Sequence, residues 1–354
     1  MLFVANFFLR LAQRWAIVAS MRYISNPPNP YLKYSAEFLG EPPTAKLEIF
    51  EETATKKIIT KNNSPDVGFE FSVNCYRGCI HACTYCFARP YHEFLGYGAG
   101  TDFETKIVAK VNAPELLREE LKRTRRTIDY LAFSFTTDPY LPVEASYELT
   151  RKCLEVCRDF KIPVGIVTKS PLVTRDIDVL TKMDATVYFS IPFLTTEQAK
   201  PFEPFAPIPE ARFRAMKILA ENDISVGIAI APIIPTYNDS QIPALLERAR
   251  ESGATKAFMT LLRLPTESLR AYFTARLEER LPTKADKILN ALKRERDGKL
   301  NSNDFGNRMK GKTEQWQLAV KLFDLHYKRL GFEQSKPART IEEKPLAIQQ
   351  SLFD

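Results

Sequence analysis

The stretch FEFSVNCYRGCIHACTYCFARP, residues 69–90, joins a short apolar run to a loop that holds four of the chain's six cysteines. In the run Phe69–Asn74, apolar residues alternate with polar ones, a pattern typical of a β-strand. The cysteines of the loop are Cys75, Cys79, Cys83 and Cys86. They follow the run directly, so the sequence places them beyond the C-terminal end of a strand.

Similar runs recur through the next part of the chain. Five more short runs of apolar and β-branched residues predict strands at Tyr130–Phe135, Val164–Thr168, Thr186–Ile191, Val226–Ile230 and Ala257–Leu262. Amphipathic helical stretches lie between these runs. Strands that alternate with helices of this length predict βαβ units and a parallel sheet. Six units over about 200 residues predict an α/β protein with a partial (β/α)6 TIM-type barrel.

Composition changes on both sides of the predicted barrel. The first twenty residues are apolar but interrupted by Arg10 and Arg14, and they are a leader, or an upstream extension if translation starts at Met21. The predicted division is a leader (1–20), an extended arm (21–68), the barrel (69–265), a helical extension (266–332) and a disordered tail (333–354).

Charge and cysteine usage narrow the class of protein. The chain of 354 residues has a net charge of +7, which permits an acidic partner such as nucleic acid. Its basic residues are scattered among 43 acidic ones, however, as on an ordinary solvated surface. Six cysteines are too few for a disulfide scaffold, and their clustering predicts metal ligation in a reducing cytoplasm. No apolar stretch reaches the ~20 residues of a membrane span, so we predict a cytoplasmic protein without membrane contact.

The spacing of the cysteines in this loop is compatible with two kinds of metal site. A structural zinc site usually joins two short-spaced pairs, and no second pair exists because Cys153 and Cys157 share a helix face that is typical of core packing. All four loop cysteines could close around one metal centre. Alternatively Cys79, Cys83 and Cys86, spaced C-x3-C-x2-C, could bind three irons of a cubane cluster. That arrangement leaves the fourth iron open, and an open position is typical of a catalytic metal site.

The motif resembles a known superfamily. C-x3-C-x2-C with Tyr85 before the last cysteine, after the first strand of a six-unit barrel, looks like the radical S-adenosylmethionine (SAM) superfamily. YRGCIHACTYCFARP, with TDPY and VTKS downstream, is similar to its spore-photoproduct-lyase-like branch, often labelled DNA repair photolyases. The resemblance covers about residues 64–332. The chain departs from this branch at Cys75, where proline is usual.

The resemblance implies cofactors, a partner and site residues. It implies a [4Fe-4S] cluster on Cys79, Cys83 and Cys86, where S-adenosylmethionine is cleaved by one electron to methionine and a 5′-deoxyadenosyl radical. A flavodoxin- or ferredoxin-type protein would donate the electron. The implied cofactor contacts are Tyr85 and Pro232 near the adenine, Thr137 and Asp138 at the methionyl amine, and Lys169 and Ser190 at the methionyl carboxylate and ribose.

The resemblance also implies a lyase that acts on a nucleic-acid lesion. Cys75 is the cysteine outside the motif that lies near the predicted mouth, so we predict it as the hydrogen donor to the product radical, with Tyr140 and Tyr237 as further candidates. Weak support for nucleic-acid binding comes from KRERDG (293–298) and from Arg308, Lys310 and Lys312. The alternatives are a radical enzyme that modifies a small molecule or protein, and a non-catalytic nucleic-acid-binding protein with a closed four-cysteine site.

Overall fold

The computed structural model of the chain describes residues 46–124, 127–133 and 135–333. The predicted leader, residues 21–45 of the predicted arm and residues 334–354 of the predicted tail lie outside these ranges. The strands within them are β1 (Glu48–Glu52), β2 (Ile59–Lys61), β3 (Phe71–Val73), β4 (Tyr76–Arg77), β5 (Lys106–Lys110), β6 (Leu131–Phe133), β7 (Val164–Thr168), β8 (Ala185–Ser190), β9 (Ser225–Ile233) and β10 (Lys256–Leu261).

Helices lie between most of the strands and after the last one. They are α1 (Thr101–Thr105), α2 (Ala113–Thr124), α3 (Glu144–Tyr147), α4 (Leu149–Asp159), α5 (Ile177–Leu180), α6 (Thr196–Ala199), α7 (Pro209–Glu221), α8 (Ile242–Glu251), α9 (Glu267–Arg280), α10 (Ala285–Arg294) and α11 (Glu314–Arg329). In the described part of the chain, no helix has both the length and the apolar character that crossing a membrane requires.

The main sheet confirms the predicted α/β fold class. Its strand order is β10-β9-β8-β7-β6-β3-β2, and the six strands from β10 to β3 are parallel. Each of these six strands overlaps one of the six predicted runs, and β2 adds an antiparallel edge next to β3. The helices connect successive parallel strands, which gives the partial (β/α)6 barrel. All six C-terminal strand ends therefore open on one mouth.

A second, smaller sheet was not predicted. It has the order β1-β5-β4, in which β5 pairs parallel with β1 and antiparallel with β4. The strand β4 lies within the cysteine loop, where Tyr76 pairs with Ala109. The described part of the predicted arm thus supplies a strand to each sheet, and the small sheet fixes one end of the cysteine loop.

The predicted helical extension packs against the barrel in two places. Its last helix, α11, packs on α8, and Arg329 pairs with Glu247 there. The helices α9 and α10 build a second apolar core, separate from the main barrel core, with residues of the cysteine loop. Members of this core include Cys83, Tyr85, Phe193, Phe202, Leu269, Phe273 and Leu292. The loop is therefore enclosed by the C-terminal helices.

Candidate active site

The cysteine loop is held by backbone hydrogen bonds on both sides. The amide of Cys79 donates to the carbonyl of Phe103 at 2.8 Å, and the amide of Thr84 donates to the carbonyl of Phe202 at 2.9 Å. Gly78 has a positive φ of 79°, and a Cβ there would lie 2.8 Å from the carbonyl oxygen of Lys106. Only glycine allows this approach, so the turn before Cys79 depends on it.

The thiols of the C-x3-C-x2-C motif shift one another's pKa. Burial is the main cause that raises the pKa of Cys79, and the charges of Cys83 and Cys86 raise it further. Burial also raises the pKa of Cys83 to about 12, although Lys169 acts in the opposite direction. Buried thiolates need nearby positive charge, which bound metal supplies. The donor set therefore fits an iron–sulfur cluster held by three cysteines.

Cys75 lies apart from the motif, in the barrel core. Its side chain is 2% exposed, and its sulfur is 3.6 Å from that of Cys153 on α4. Cys153 and Cys157 are fully buried, which confirms the core-packing interpretation of that pair. The role of hydrogen donor for Cys75 remains a prediction, and this core position gives it no support.

We expect Cys75→Ala to leave iron binding unchanged, because its thiol contacts Cys153 and not the motif cysteines. The loss of one buried sulfur should lower the free energy of unfolding by about 1 kcal/mol. Iron content per folded protein and urea denaturation measure the two effects. A loss of one quarter or more of the bound iron would instead identify Cys75 as a ligand.

Thr137 lies in a turn that the end of β3 holds in place. Asn74 follows β3, and its side-chain oxygen accepts hydrogen bonds from the amides of Phe135 and Thr136, both at 3.0 Å. The hydroxyl of Thr137 donates to the carbonyl of Gly78 at 2.5 Å. The turn after β6 is thereby tied directly to the cysteine loop.

Asp138 is buried and bridges the ends of β6 and β7. Its Oδ1 accepts from the amide of Tyr140 at 2.9 Å and from the hydroxyl of Thr168 at 2.6 Å, and its Oδ2 accepts from the amide of Lys169 at 2.8 Å. His81 Nδ1 lies 3.5 Å from Oδ2. Burial lowers the pKa of His81 to about 4, so this imidazole is neutral at pH 7.

Lys169 and Ser190 meet at the ends of β7 and β8, as expected. Lys169 Nζ donates to Ser190 Oγ at 2.9 Å, and it lies 5.7 Å from the centre of the Tyr85 ring. Burial alone lowers the pKa of Lys169, but the negative charges of Cys83 and Glu203 outweigh it and raise the pKa. Lys169 is therefore a cation, and three of the predicted contacts lie together.

Glu203 and Arg212 complete this network and were not predicted. Tyr85 donates its hydroxyl hydrogen to Glu203, Arg212 Nη2 donates to Glu203 at 2.5 Å, and Lys169 Nζ is 3.6 Å from Glu203. Burial raises the pKa of Glu203, but Arg212 and Lys169 together lower it below its usual value. A buried carboxylate thus balances the buried Arg212 and the half-buried Lys169 beside the cysteine loop.

One of these two residues left a signal in the sequence. Arg212 on α7 occupies the same helix face as Met216 and Leu219, and all three are buried. A charged residue at an apolar position of a helix usually has a buried partner. Glu203 follows no periodic pattern, because it lies in the irregular segment between α6 and α7.

Arg89 holds the cysteine loop from the side of the helical extension. It is fully buried, and its Nε donates to the carbonyl of Cys83 at 2.9 Å. Its Nη2 donates to Glu104 at 2.6 Å, and its guanidinium carbon lies 4.2 Å from the centre of the Tyr272 ring on α9. Arg89 is therefore a buried residue that orders the loop.

The remaining candidate residues differ in how far their side chains are exposed to solvent. Pro232 lies near the end of β9, its carbonyl accepts from Asn238 at 3.0 Å, and it is buried at the mouth. Tyr237 is half-buried, and its hydroxyl donates to the carbonyl of Gln198 at 3.0 Å. Tyr140 is fully buried and donates to Asp176 at 3.0 Å. Tyr140 thus lies in the core of the protein.

This chain is similar to known proteins both in sequence and in fold. A protein of Mycobacterium tuberculosis is 33% identical over 213 residues, which are 58% of this chain and 63% of that relative. A protein of Methanocaldococcus jannaschii is 34% identical over 196 residues, 55% of this chain and 71% of the relative. This chain thus spans less than two thirds of the mycobacterial protein.

The fold of this chain is similar to the folds of solved structures. A mutant spore photoproduct lyase with bound AdoMet and dinucleoside spore photoproduct superimposes with a TM-score of 0.57 and 16% identity, over 80% of this chain and 78% of that one. The family model described as the Radical SAM superfamily matches residues 73–249, which contain the three motif cysteines. The resemblance seen in the cysteine motif is confirmed, and the chain belongs to the radical SAM superfamily.

Proposed function

We propose that this protein cleaves S-adenosylmethionine reductively at a [4Fe-4S] cluster and uses the radical to act on a nucleic-acid lesion. The observation that carries the proposal is that Cys83, which interacts electrostatically with Cys79 and Cys86, lies within electrostatic reach of Lys169, whose Nζ donates to Ser190 at the mouth of the barrel. When bound, the cluster supplies the electron that breaks the sulfonium–C5′ bond. The external electron would come from a flavodoxin- or ferredoxin-type donor.

The residues around the cysteines suit the methionyl end of the cofactor. Lys169 is a cation held in place by Ser190, so it can bind a carboxylate. Asp138 is held at the same edge by three protein donors, and a carboxylate is the natural partner for an ammonium group. Tyr85 and Pro232 offer apolar surface to the adenine. Thr137 contributes by fixing the turn that carries Asp138.

Support for a nucleic-acid substrate comes from the fold match to a lyase solved with a dinucleoside photoproduct. The basic residues that the sequence suggested for nucleic-acid binding give this substrate less support. Arg308 pairs with Asp66, and Lys312 pairs with Asp297, so their charges are partly neutralised within the protein. A radical enzyme that modifies a small molecule or protein remains the second candidate.

Anaerobic reconstitution tests this proposal in two steps. We expect visible iron–sulfur absorbance and, with dithionite and S-adenosylmethionine, release of 5′-deoxyadenosine. Ultraviolet-irradiated oligonucleotide should then lose photoproduct, whereas the unirradiated oligonucleotide serves as the control. A colourless protein that contains one zinc ion would overturn the cluster, and unchanged photoproduct during active cofactor cleavage would overturn the lesion substrate alone.

A further inference from the structure

Three arginines come together beyond the end of β10, the last strand of the barrel. Arg263 lies two residues after this strand. Arg296 follows α10, and its Nη2 donates to the carbonyl of Leu262 at 2.5 Å and to the carbonyl of Arg308 at 3.4 Å. One guanidinium thus joins the backbone segments that carry the other two. The group lies at the rim of the same mouth as the cysteines.

The positive charge of this group is only partly balanced. Arg308 pairs with Asp66, and the carboxylate of Glu295 accepts from the amide and hydroxyl of Thr313. Arg263 has neither an ion pair nor a hydrogen bond to any described residue, and its Nε is buried without an acceptor. The Nε of Arg296 is also buried without an acceptor. Buried polar atoms in this state are unfavourable unless a ligand or water satisfies them.

The pKa shifts of Arg263 and Arg296 agree with this grouping of the three arginines. Burial and then the charge of Arg308 lower the pKa of Arg263, although Asp66 acts in the opposite direction. Burial lowers the pKa of Arg296 to about 10, where Glu295 opposes the shift and Arg263 adds to it. Arg308 thus disfavours the charge of Arg263, and Arg263 that of Arg296, so an anion bound among them would relieve this repulsion.

Two exposed aromatic rings lie near this group of arginines. The ring of Phe305 is 59% exposed and lies 4.5 Å from the guanidinium carbon of Arg308. Tyr91 is 48% exposed, and its hydroxyl is within electrostatic reach of Arg263. Tyr91 belongs to the short helix that follows Cys86, so this surface adjoins the cysteine loop. Cationic groups interleaved with exposed rings are typical of surfaces that bind single-stranded nucleic acid.

We infer that Arg263, with Arg296 and Arg308, binds a backbone phosphate of a nucleic-acid strand at the rim of the mouth, while Tyr91 and Phe305 stack on its bases. This inference rests on the proposed nucleic-acid substrate and names the surface that would hold it. A phosphodiester fits because it supplies one negative charge and several acceptor oxygens to donors that lack acceptors.

The test compares Arg263→Gln with Arg214→Gln, which removes the same charge from an exposed position on α7. Reconstituted protein is titrated into labelled single-stranded oligothymidylate, and anisotropy is recorded over a range of salt concentrations. We expect Arg263→Gln to weaken binding about tenfold and to reduce the salt slope by ~0.7. Arg214→Gln should match the wild type. The melting temperature of Arg263→Gln should equal or exceed that of the wild type, since an unbalanced charge is removed.

Three results would overturn the inference. Equal weakening of the two variants would mean that general electrostatics explain the binding. Equal binding of an oligonucleotide with an uncharged methylphosphonate backbone would mean that no phosphate is recognised. Failure of the wild type to bind any oligonucleotide would mean that this surface does not hold a nucleic-acid strand. None of these measurements needs turnover, so they are independent of 5′-deoxyadenosine release, which tests the proposed function.

Discussion

Replacing Cys83 by alanine is expected to reduce bound iron to background and to lower 5′-deoxyadenosine release by more than about 100-fold. Loss of groups that only support a metal ligand already costs 10–100-fold in affinity or activity, so loss of a ligand should cost more. Cys83 lies in the second apolar core with Tyr85, where alanine fits without a clash. Iron assay and visible absorbance measure the first effect, and chromatography of the reaction mixture measures the second.

Cys157→Ala is the matched control for this variant. Cys157 is equally buried, but it lies on α4 in the main core with Cys75 and Cys153. This control should keep the full iron content per folded protein and lose only some stability. Equal iron in Cys83→Ala and in the wild type would contradict the assignment of the motif as the cluster ligands.

Glu203→Ala is expected to lower the free energy of unfolding by about 3–5 kcal/mol. Removing one partner of a buried ion pair leaves the other charge buried and unbalanced. Here the change would leave Arg212 without its carboxylate and the hydroxyl of Tyr85 without its acceptor. Denaturation of the reconstituted protein by urea, followed by circular dichroism, measures this loss.

One further variant separates charge from hydrogen bonding at Glu203, and a second serves as the control. Glu203→Gln keeps a hydrogen-bond acceptor for Tyr85 and loses only the charge, so its effect should be smaller. Glu221→Ala on α7 removes an exposed carboxylate whose partner Lys217 is 3.9 Å away, and it should change stability by no more than about 0.5 kcal/mol. A loss of less than 1 kcal/mol in Glu203→Ala would show that the network contributes little.

The barrel was predictable because its strands carry a local signal. Val164–Thr168 is a continuous apolar run between polar segments, and the structure has a strand with the same bounds. The three motif cysteines were also recognisable, since their spacing lies within a single loop. Their assignment as cluster ligands remains a prediction, supported by the burial of Cys79 and Cys83 and by the effect of Cys83 and Cys86 on the pKa of Cys79.

The rest of the site depends on contacts between distant segments. Glu203 meets Tyr85 across more than a hundred residues, and no sequence periodicity marks either one for the other. The strand β5 is short and flanked by lysines, so it resembles a surface segment until β1 and β4 pair with it. Arg308 looked like a free basic residue, whereas the fold brings Asp66 to it from the other end of the described chain.

The buried guanidinium of Arg89 has a consequence for how the protein matures. It links the loop that carries the cysteines to Tyr272 on α9, a helix that the ribosome completes much later than the cysteines. Until α9 and α10 dock, the second apolar core around Cys83 lacks the side chains of these helices. We therefore expect Cys83 to be accessible to a cluster donor throughout synthesis of the barrel. Closure of the C-terminal helices would then end the period in which a cluster can be delivered.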